Sequence, residues 1–329
     1  YIEKGINTSL IELYINYKIH EFKKEKIYNI FKIPKKDGGM RIISEPVEDI
    51  KKNCKELLYI LNKSFNKRIS KKESYQFAYI NKRSILQNAN IHKNNKYVIK
   101  FDIRKFFDNC RFNMFKKYIE YFYKNLKAYY YDEIENLLKN VLIDPNTGGL
   151  YMGNPLSGVL SNMIIHPSAV YIKNICNKYN ISFSIYADDI TFSCDDISNE
   201  YFNKNFLKKV ILEAFKDYNL NFELNEDKTR KLKNNGRRIT GVRINHRNET
   251  TPDRYHYNLL KSVLEHLEHN KKITMTKNEL QGRISYYLYI DSSGKFRKLI
   301  NKYYYILKDY GINISDQYID EHPGIVTLF

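Results

Sequence analysis

Residues 181–194 read ISFSIYADDITFSC, and this stretch decides the fold. Apolar and small polar side chains alternate on both sides of a short turn, the pattern of a β-hairpin. Ile181, Phe183 and Ile185 point one way, and Ile190, Phe192 and Cys194 form a second apolar row beyond the turn. Such a hairpin has a face to bury, and it leaves Asp188 and Asp189 at its tip. Aspartate is an ordinary turn former, so an Asp pair in a bare hairpin asks for no chemistry. A second segment changes that weighting. YVIKFDI, residues 97–103, alternates in the same way: Tyr97, Ile99, Phe101 and Ile103 share one face, and Val98, Lys100 and Asp102 share the other. Burial of the first face presents Asp102 on the reachable side.

If these two segments are neighbours in one sheet, Asp102 meets Asp188 and Asp189. Converging carboxylates are costly unless cations bind them. Hard divalent ions with oxygen ligands answer that need, and Mg²⁺ takes substrate phosphate to complete its shell. Two such ions about 3.5–4 Å apart clamp the attacking and leaving oxygens of a phosphoryl transfer.

Around this centre the chain alternates helical and strand-like patterns. Residues 8–30 read as an amphipathic helix. FKIPKKDGGMRIISEP (31–46) reads as two short strands around an Asp-Gly-Gly turn. VEDIKKNCKELLYILNKSF (47–65) returns to a helical period, with Ile50, Cys54, Leu57, Leu58 and Leu61 on one face. Residues 112–141 read as helical. A glycine-rich loop, DPNTGGLYMGNPLSG (144–158), leads into a helix that Pro167 is expected to bend or interrupt. The tail reads as helical, with apolar stripes through 255–270 and 295–310 and Gly311 as a stop.

The 329 residues carry 55 Lys and Arg against 37 Asp and Glu, a net charge of +18. A polyanionic partner follows, and nucleic acid suits dispersed cations better than a membrane surface does. The 30 Tyr among those lysines suit base stacking beside phosphate contacts. Codon bias in an AT-rich genome would enrich Lys, Asn, Ile and Tyr equally well, so charge alone does not assign a function. No apolar run is long enough to span a membrane, and no secretory pattern opens the chain. The sequence starts on Tyr1 rather than Met, which leaves room for residues upstream. Its four cysteines form no C-x-x-C pair, which argues against zinc and disulfides and suits a reducing, cytoplasmic setting.

The motifs and their order resemble the reverse transcriptases. SIYADDITFS (184–193) is similar to their catalytic hairpin, and KFDIRKFFDN (100–109) to their first catalytic strand. GLYMGNPLSGVLSNMII (149–165) looks like the segment usually written LPQGxPxSPxLSN. IPKKDGGMRIISEP (33–46) resembles the fingers hairpin that grips the triphosphate, and LNEDKTR (224–230) the N-x-x-K-T segment. Two elements resemble the retron branch in particular: LQNANIH (86–92), with Asn88, Ala89 and His92, and RRITGVRIN (237–245), with Thr240 and Gly241. ELQGRISYYLYIDSSGKFRKLINKY (279–303) looks like a retron thumb. Three positions depart from the family. Met152 stands for its Gln, Gly158 for the Pro after Ser157, and Gln76 for the Gly before Phe77.

The resemblance implies an α+β right-hand polymerase. Fingers would run over 1–95 with part of 110–150, a discontinuous palm over 96–244, and a helical thumb over 245–329. It implies that Asp102 and Asp188 bind two Mg²⁺ ions with Asp189 in support. Lys35 and Arg41 would neutralise the triphosphate of a dNTP, and Phe107 would block a ribose 2′-OH, with Phe106 in the core. Gly153 would let the backbone approach the templating pair, Tyr186 would line the primer end, and Lys228 would border nucleotide or primer. Asn88 and His92 would serve either structure or RNA contact. Thr240, Gly241, Lys261, Arg283 and Arg297 would meet RNA. The implied partners are a non-coding RNA of the msr–msd kind and its cDNA product (msDNA). Priming would use an RNA 2′-OH, and a separate effector protein in anti-phage defence would be possible. Two alternatives stay open: a non-retron defence reverse transcriptase, and a non-catalytic RNA-binding scaffold for a toxic effector.

Overall fold

The hydrophobic patterning resolves into a mixed α+β structure. The computed structural model describes residues 2–35, 38–68, 75–120, 128–233 and 237–315. In chain order the first elements are α1 (Ile2–Lys23), β1 (Tyr28–Pro34), β2 (Met40–Pro46) and α2 (Glu48–Arg68). There follow α3 (Ile85–His92), β3 (Tyr97–Asp102), α4 (Phe106–Asn109), α5 (Phe112–Glu120) and α6 (Ala128–Leu142). Next come α7 (Ser157–Lys178), β4 (Ser182–Tyr186), β5 (Asp189–Cys194) and α8 (Lys204–Asp217). Four short strands then run through β6 (Arg230–Lys233), β7 (Arg238–Ile239), β8 (Val242–Ile244) and β9 (Thr250–Thr251). The last helices are α9 (Arg254–Glu268), α10 (Lys277–Ile290), α11 (Lys295–Lys302) and α12 (Tyr304–Asp309).

The chain forms two compact units. The first comprises Tyr1–Ser84, Ile99–Ser193 and Ile197–Arg230. Its sheet places β4, β5 and β3 side by side in that order. β4 and β5 pair antiparallel, with Phe183 opposite Phe192 and Ile185 opposite Ile190. All four side chains are buried, and so are Ser184, Thr191 and Ser193 on the alternate face. The unit is anchored by α7, whose Val159, Leu160, Ile164, Ile165, Ala169 and Ile172 are buried around most of its girth, as befits a helix apolar on every side. That helix runs unbroken through Pro167. The helix expected over 8–30 is shorter and earlier. Lys24 takes a left-handed φ of 55°, and the amide of Glu25 closes back on the carbonyl of His20 at 2.9 Å, the usual way a helix stops. Residues 28–34 then pair with 40–46 instead. Of the helix expected over 112–141, residues 121–127 lie outside the described residues.

The second unit comprises Ile85–Val98, Cys194–Asp196 and Lys231–Phe329. One core joins α3 to the small β7–β8–β9 sheet: Ala89, Val98, Ile239, Val242, Ile244 and Ile290 pack together. Val98 is therefore fully buried, so the reachable face expected for residues 97–103 starts only at Lys100. A second core joins the helices, with Leu260, Leu264, Leu280, Ile284, Tyr287, Phe296, Ile300 and Leu307 buried together. Thr240 (φ 45°) and Gly241 (φ 87°) turn β7 into β8, with Ile239 opposite Val242. Two consecutive positive φ values are what a type I′ hairpin turn requires, and they explain a glycine at the second position.

Arg237 is 2% exposed. Its guanidinium donates to the carbonyls of Lys93 (2.9 Å) and Asn245 (3.0 Å), to the Asn248 side-chain oxygen (2.8 Å), and to the carbonyl of Asn95. Burial pushes its pKa down, partly offset by the charge of Asp195. Four fixed oxygen acceptors make this cation a clamp on the loops around β7 and β8. Arg237→Met is expected to cost about 3 kcal/mol, because it strands buried acceptors. Thermal or urea melts check this, and an unchanged transition would refute the clamp.

Candidate active site

The site is assembled from backbone contacts between distant segments of the first unit. Asp102 ends β3, and the amide of the next residue, Ile103, donates to the carbonyl of Asp188 at 2.9 Å. On the other side, Asn225 donates to the carbonyl of Asp102 (2.8 Å), and Arg104 to that of Glu223 (2.8 Å). Asp102 is thus bracketed between the turn of the β4–β5 hairpin and the segment 223–225. In the hairpin, Tyr186 pairs with Asp189, so Ala187 and Asp188 form a two-residue turn. Ala187 sits at φ 54°, a left-handed conformation that costs a non-glycine residue about 1–3 kcal/mol. The neighbouring strand is fixed as well. Ile185 donates to the carbonyl of Tyr75 (2.7 Å) and accepts from Phe77 (3.0 Å).

The charges around the carboxylates are arranged in pairs. Lys228 closes a short turn over Glu226–Lys228 and places its Nζ 3.2 Å from Asp102 Oδ1. Lys100, on the Asp102 face of β3, lies 3.6 Å from Asp189 Oδ1. These groups, with Phe101 and Arg230, line a cleft of about 250 Å³. Among the described residues, Asp188 has no lysine of its own at this range. Burial holds its carboxyl up at about 6, with the charges of Asp189 and then Asp102 adding to the effect. A backbone hydrogen bond and Lys228 pull in the opposite direction. The three carboxylates therefore feel one another electrostatically. Among the described residues, no three His, Cys, Asp or Glu side chains gather as a ready-made metal cage. The donor set still fits a hard cation. It is all oxygen, it is short of positive charge at Asp188, and Mg²⁺ needs only one or two carboxylates when phosphate supplies the rest.

The remaining expected residues fall into three groups. The first comprises Phe107, Tyr186, Lys35 and Arg41. Phe107 is half-buried, against Phe106 (ring centroids 5.6 Å) and the edge of Tyr79 (6.1 Å), while Phe106 is buried against Phe222. Tyr186 is half-buried at the end of β4. Lys35 and Arg41 are exposed on the β1–β2 hairpin, whose turn residues 36 and 37 lie outside the described residues.

The second group is held by structure. Gly153, at φ 122°, faces Ser44: an added Cβ would come within 2.6 Å of its carbonyl oxygen. Beside it, the Ser44 amide donates to the carbonyl of Met152 at 2.7 Å. Asn88 and His92 are fully buried in the second unit, where Asn88 donates to the Thr240 hydroxyl at 3.2 Å. Gln76 is 1% exposed, donates to the carbonyl of Asn162 (3.1 Å) and bonds the His166 ring (2.6 Å). These contacts account for a glutamine where the family has glycine.

The third group lies on the helices of the second unit. Lys261 pairs with Glu265 (3.5 Å), Arg283 pairs with Glu279 (2.8 Å), and Arg297 is exposed on α11.

Two residues escaped the reading of the sequence. Lys100 was legible as a neighbour of Asp102 on its strand face, but its partner is remote in sequence. Tyr79, at φ 54°, packs over Gly158, where a Cβ would lie 2.5 Å from its ring. Its hydroxyl is pushed up by burial and then by the charges of Asp188 and Tyr186, against a lowering by Arg41. That set of neighbours places Tyr79 beside the carboxylates, and nothing in QFAYINKR (76–83) announces it.

The folded state binds the Asp188 proton more tightly than the unfolded chain does. The stability this contributes is full below about pH 4 and is lost as the pH rises through about 6. In chelated buffer, Asp188→Asn is therefore expected to exceed the parent in stability at pH 7.5 by on the order of 2 kcal/mol. The gap should close toward pH 4. Melting curves across that range check it, and a gap independent of pH would contradict it.

A family model described as reverse transcriptase (RNA-dependent DNA polymerase) matches residues 33–244. The retron Ec83 reverse transcriptase of Escherichia coli is 27% identical over 266 residues, covering 79% of this chain and 81% of its own. The retron Ec73 enzyme of the same species is 29% identical over 300 residues, covering 84% and 87%. The retron Mx65 enzyme of Myxococcus xanthus is 25% identical over 258 residues, covering 73% and 56%. Among solved structures, telomerase of Candida albicans in complex with a TWJ fragment of telomeric RNA gives a TM-score of 0.53 at 13% identity. Apo telomerase of Candida tropicalis gives 0.50 at 14%. The matches cover 88% and 86% of this chain but only 56% and 58% of those chains. At such identities the likeness concerns the fold alone. An acidic hairpin bonded to an acidic strand, the order of the motifs around them and a family match over most of the chain agree: the chain belongs to the reverse transcriptase (RNA-dependent DNA polymerase) family, among its retron-type bacterial members.

Proposed function

We propose that this RNA-directed DNA polymerase copies part of a partner non-coding RNA into single-stranded DNA, from a 2′-OH of that RNA, at Asp102 and Asp188. The observation that carries the reading is the 2.9 Å hydrogen bond from Ile103 to the carbonyl of Asp188, which brings the two acidic segments together. The retron relatives support the retron reading, and the resemblance to that branch extends the proposal to an msDNA product and a role in defence beside an effector protein. The proposed architecture is a right hand, with fingers over 1–95 and part of 110–150, a palm over 96–244 and a thumb over 245–329. The proposed setting is cytoplasmic. Its support is that the four cysteines are buried and unbridged, and no helix among the described residues is long and apolar enough to cross a membrane.

Two magnesium ions, when bound, would stabilise charge on the attacking and leaving oxygens of the phosphoryl transfer. Asp102 and Asp188 are the proposed ligands, with Asp189 in support. Lys228 is an exposed partner of Asp102, and such pairs are worth about 0–1 kcal/mol. It can therefore leave the carboxylate at little cost and turn to the incoming nucleotide. Lys35 and Arg41, exposed on the β1–β2 hairpin, meet the triphosphate, and the guanidinium fork of Arg41 suits its oxygens. Phe107, steadied by the edge of Tyr79, sits beneath the sugar and excludes a 2′-OH. Tyr186 borders the primer end.

Asp188→Asn and Asp102→Asn are each expected to fold and to lose primer extension by at least about 1,000-fold. Near-normal synthesis by either would refute the assignment. Phe107→Ala is expected to admit ribonucleotides, read as incorporation of rNTPs against dNTPs. An enzyme that still excludes them would place the sugar gate elsewhere.

A further inference from the structure

Helix α1 carries two apolar faces, and the first unit uses one of them. Leu10 and Leu13 are buried. The helix is gripped on that side and at its flanks. Asn16 donates to Asn53 of α2 at 2.8 Å, Tyr14 donates to Glu133 of α6 at 3.2 Å, and Tyr17 accepts from Asn140 of α6 at 2.9 Å. The opposite side carries Ile11, Ile15, Ile19 and Phe22, which are 58%, 51%, 44% and 89% exposed. Their spacing of four, four and three residues keeps them on one line of a straight helix, about 17 Å long. A solvated helix face favours polar residues, and β-branched isoleucine suits it poorly where there is nothing to pack against. Exposed apolar residues scattered singly are ordinary, but four in one line form a patch that asks for cover.

Glu12 and Lys23 border the line on one and the same flank of the helix. Both are exposed, and neither is ion-paired among the described residues. Glu12 accepts one long hydrogen bond, from Asn53 at 3.4 Å. On the other flank, Lys18 is held by Glu21 at 2.8 Å. This arrangement is complementary to itself under a two-fold axis. Ile11 and Phe22, Ile15 and Ile19, and Glu12 and Lys23 are all centred on residue 17 to within half a residue. Two antiparallel copies therefore set Ile11 against Phe22 and Ile15 against Ile19. In an antiparallel pair each flank meets its own counterpart, so Glu12 of one copy comes beside Lys23 of the other, and the contact occurs twice.

We infer that α1 docks a second copy of this chain, as an antiparallel helix pair joined through Ile11, Ile15, Ile19 and Phe22 and rimmed by two Glu12–Lys23 ion pairs. The inference goes beyond the polymerase reading and stands without it. One symmetry operation satisfies the apolar line and the charges beside it, whereas an unrelated helix would have to match both by its own sequence. Two such lines face to face remove roughly 1,000 Å² from water in total, about the least that a specific interface needs. The dimer is accordingly weak, with a dissociation constant on the order of 10 µM.

The test is sedimentation velocity of the full chain, cleared of nucleic acid with nuclease and run from about 1 to 100 µM, a range that brackets that constant. The parent is expected to pass from monomer to dimer across the range, and a monomer throughout overturns the inference. Ile15→Lys/Ile19→Lys is expected to weaken association at least about 100-fold, while the dilute variant keeps the parent's far-UV spectrum and melting temperature. Undiminished association in that variant overturns the apolar line as the seat of the dimer. Glu12→Lys and Lys23→Glu are each expected to weaken association about fivefold, and the two together to restore it. A double variant as weak as the singles overturns the antiparallel register. Should the lysine variant not fold, disulfide trapping decides, since the four native cysteines are buried. In the antiparallel pair like positions stand about 15 Å or more apart, too far for a disulfide. Chains carrying Ile11→Cys or Phe22→Cys are therefore expected to stay single when oxidised separately and to link when mixed. Linked dimers from either chain alone, or none from the mixture, overturn the pair.

Discussion

The Asp102 strand and the acidic hairpin are hydrogen-bonded neighbours in one sheet, and the bond from the amide of Ile103 to the carbonyl of Asp188 ends that pairing at the turn. One such bond is worth only about 1 kcal/mol net, and with the rest of the sheet it holds together carboxylates that repel one another. What holds the bond is the burial around it. Phe101, Ile103, Phe183, Ile185, Ile190 and Phe192 are each at most 2% exposed. The sheet cannot slip by one residue without exchanging that apolar set for the small polar Ser184, Thr191 and Ser193 buried on the alternate face. The geometry of the acidic site is thus set by hydrophobic register, and the acidic residues occupy positions that register leaves open.

Charge around the site follows the same economy. Among the described residues, the three carboxylates have two lysines in ion-pair range, and burial hinders the ionisation of the unmatched Asp188. Lys228 sits on a surface turn and is half exposed, whereas Lys100 is on the strand itself and mostly covered. The two cations therefore differ in freedom. Lys228 is free to swing away from Asp102, and Lys100 is held beside Asp189. This asymmetry supports a role for Asp189 behind Asp102 and Asp188.

The acidic hairpin, its partner strand and the helix over 48–68 were legible because period-2 and period-3.6 patterns report burial directly. Other features were hidden for identifiable reasons. Periodicity carried the first helix beyond its true end, because nothing in the pattern shows that Lys24 turns left-handed and that 28–34 prefer a strand partner. Val98 read as exposed because its cover, Ile239 and Val242, comes from a segment far along the chain. Arg237 opens RRITGVRIN, and nothing in that run shows the carbonyls with which the fold surrounds it. Gly153 read as a place for a template. The structure gives it a nearer neighbour, Ser44, and that demand alone explains a glycine there.

The same distinction governs the basic surface. A net charge of +18 says that a polyanion is welcome but not where. Helical spacing then misleads, because a lysine or arginine on an exposed stripe tends to find a carboxylate four residues away, as Lys261 and Arg283 do. Spacing does not settle it in the other direction either: Lys295 stands four residues after Asp291, and the Asp291 carboxylate is taken by the amide of Phe296. Arg243, Arg254, Lys295 and Lys298 come from a strand and two helices, so their convergence is a property of the fold. Which cations stand together is therefore decided by the fold and not by any count of lysines.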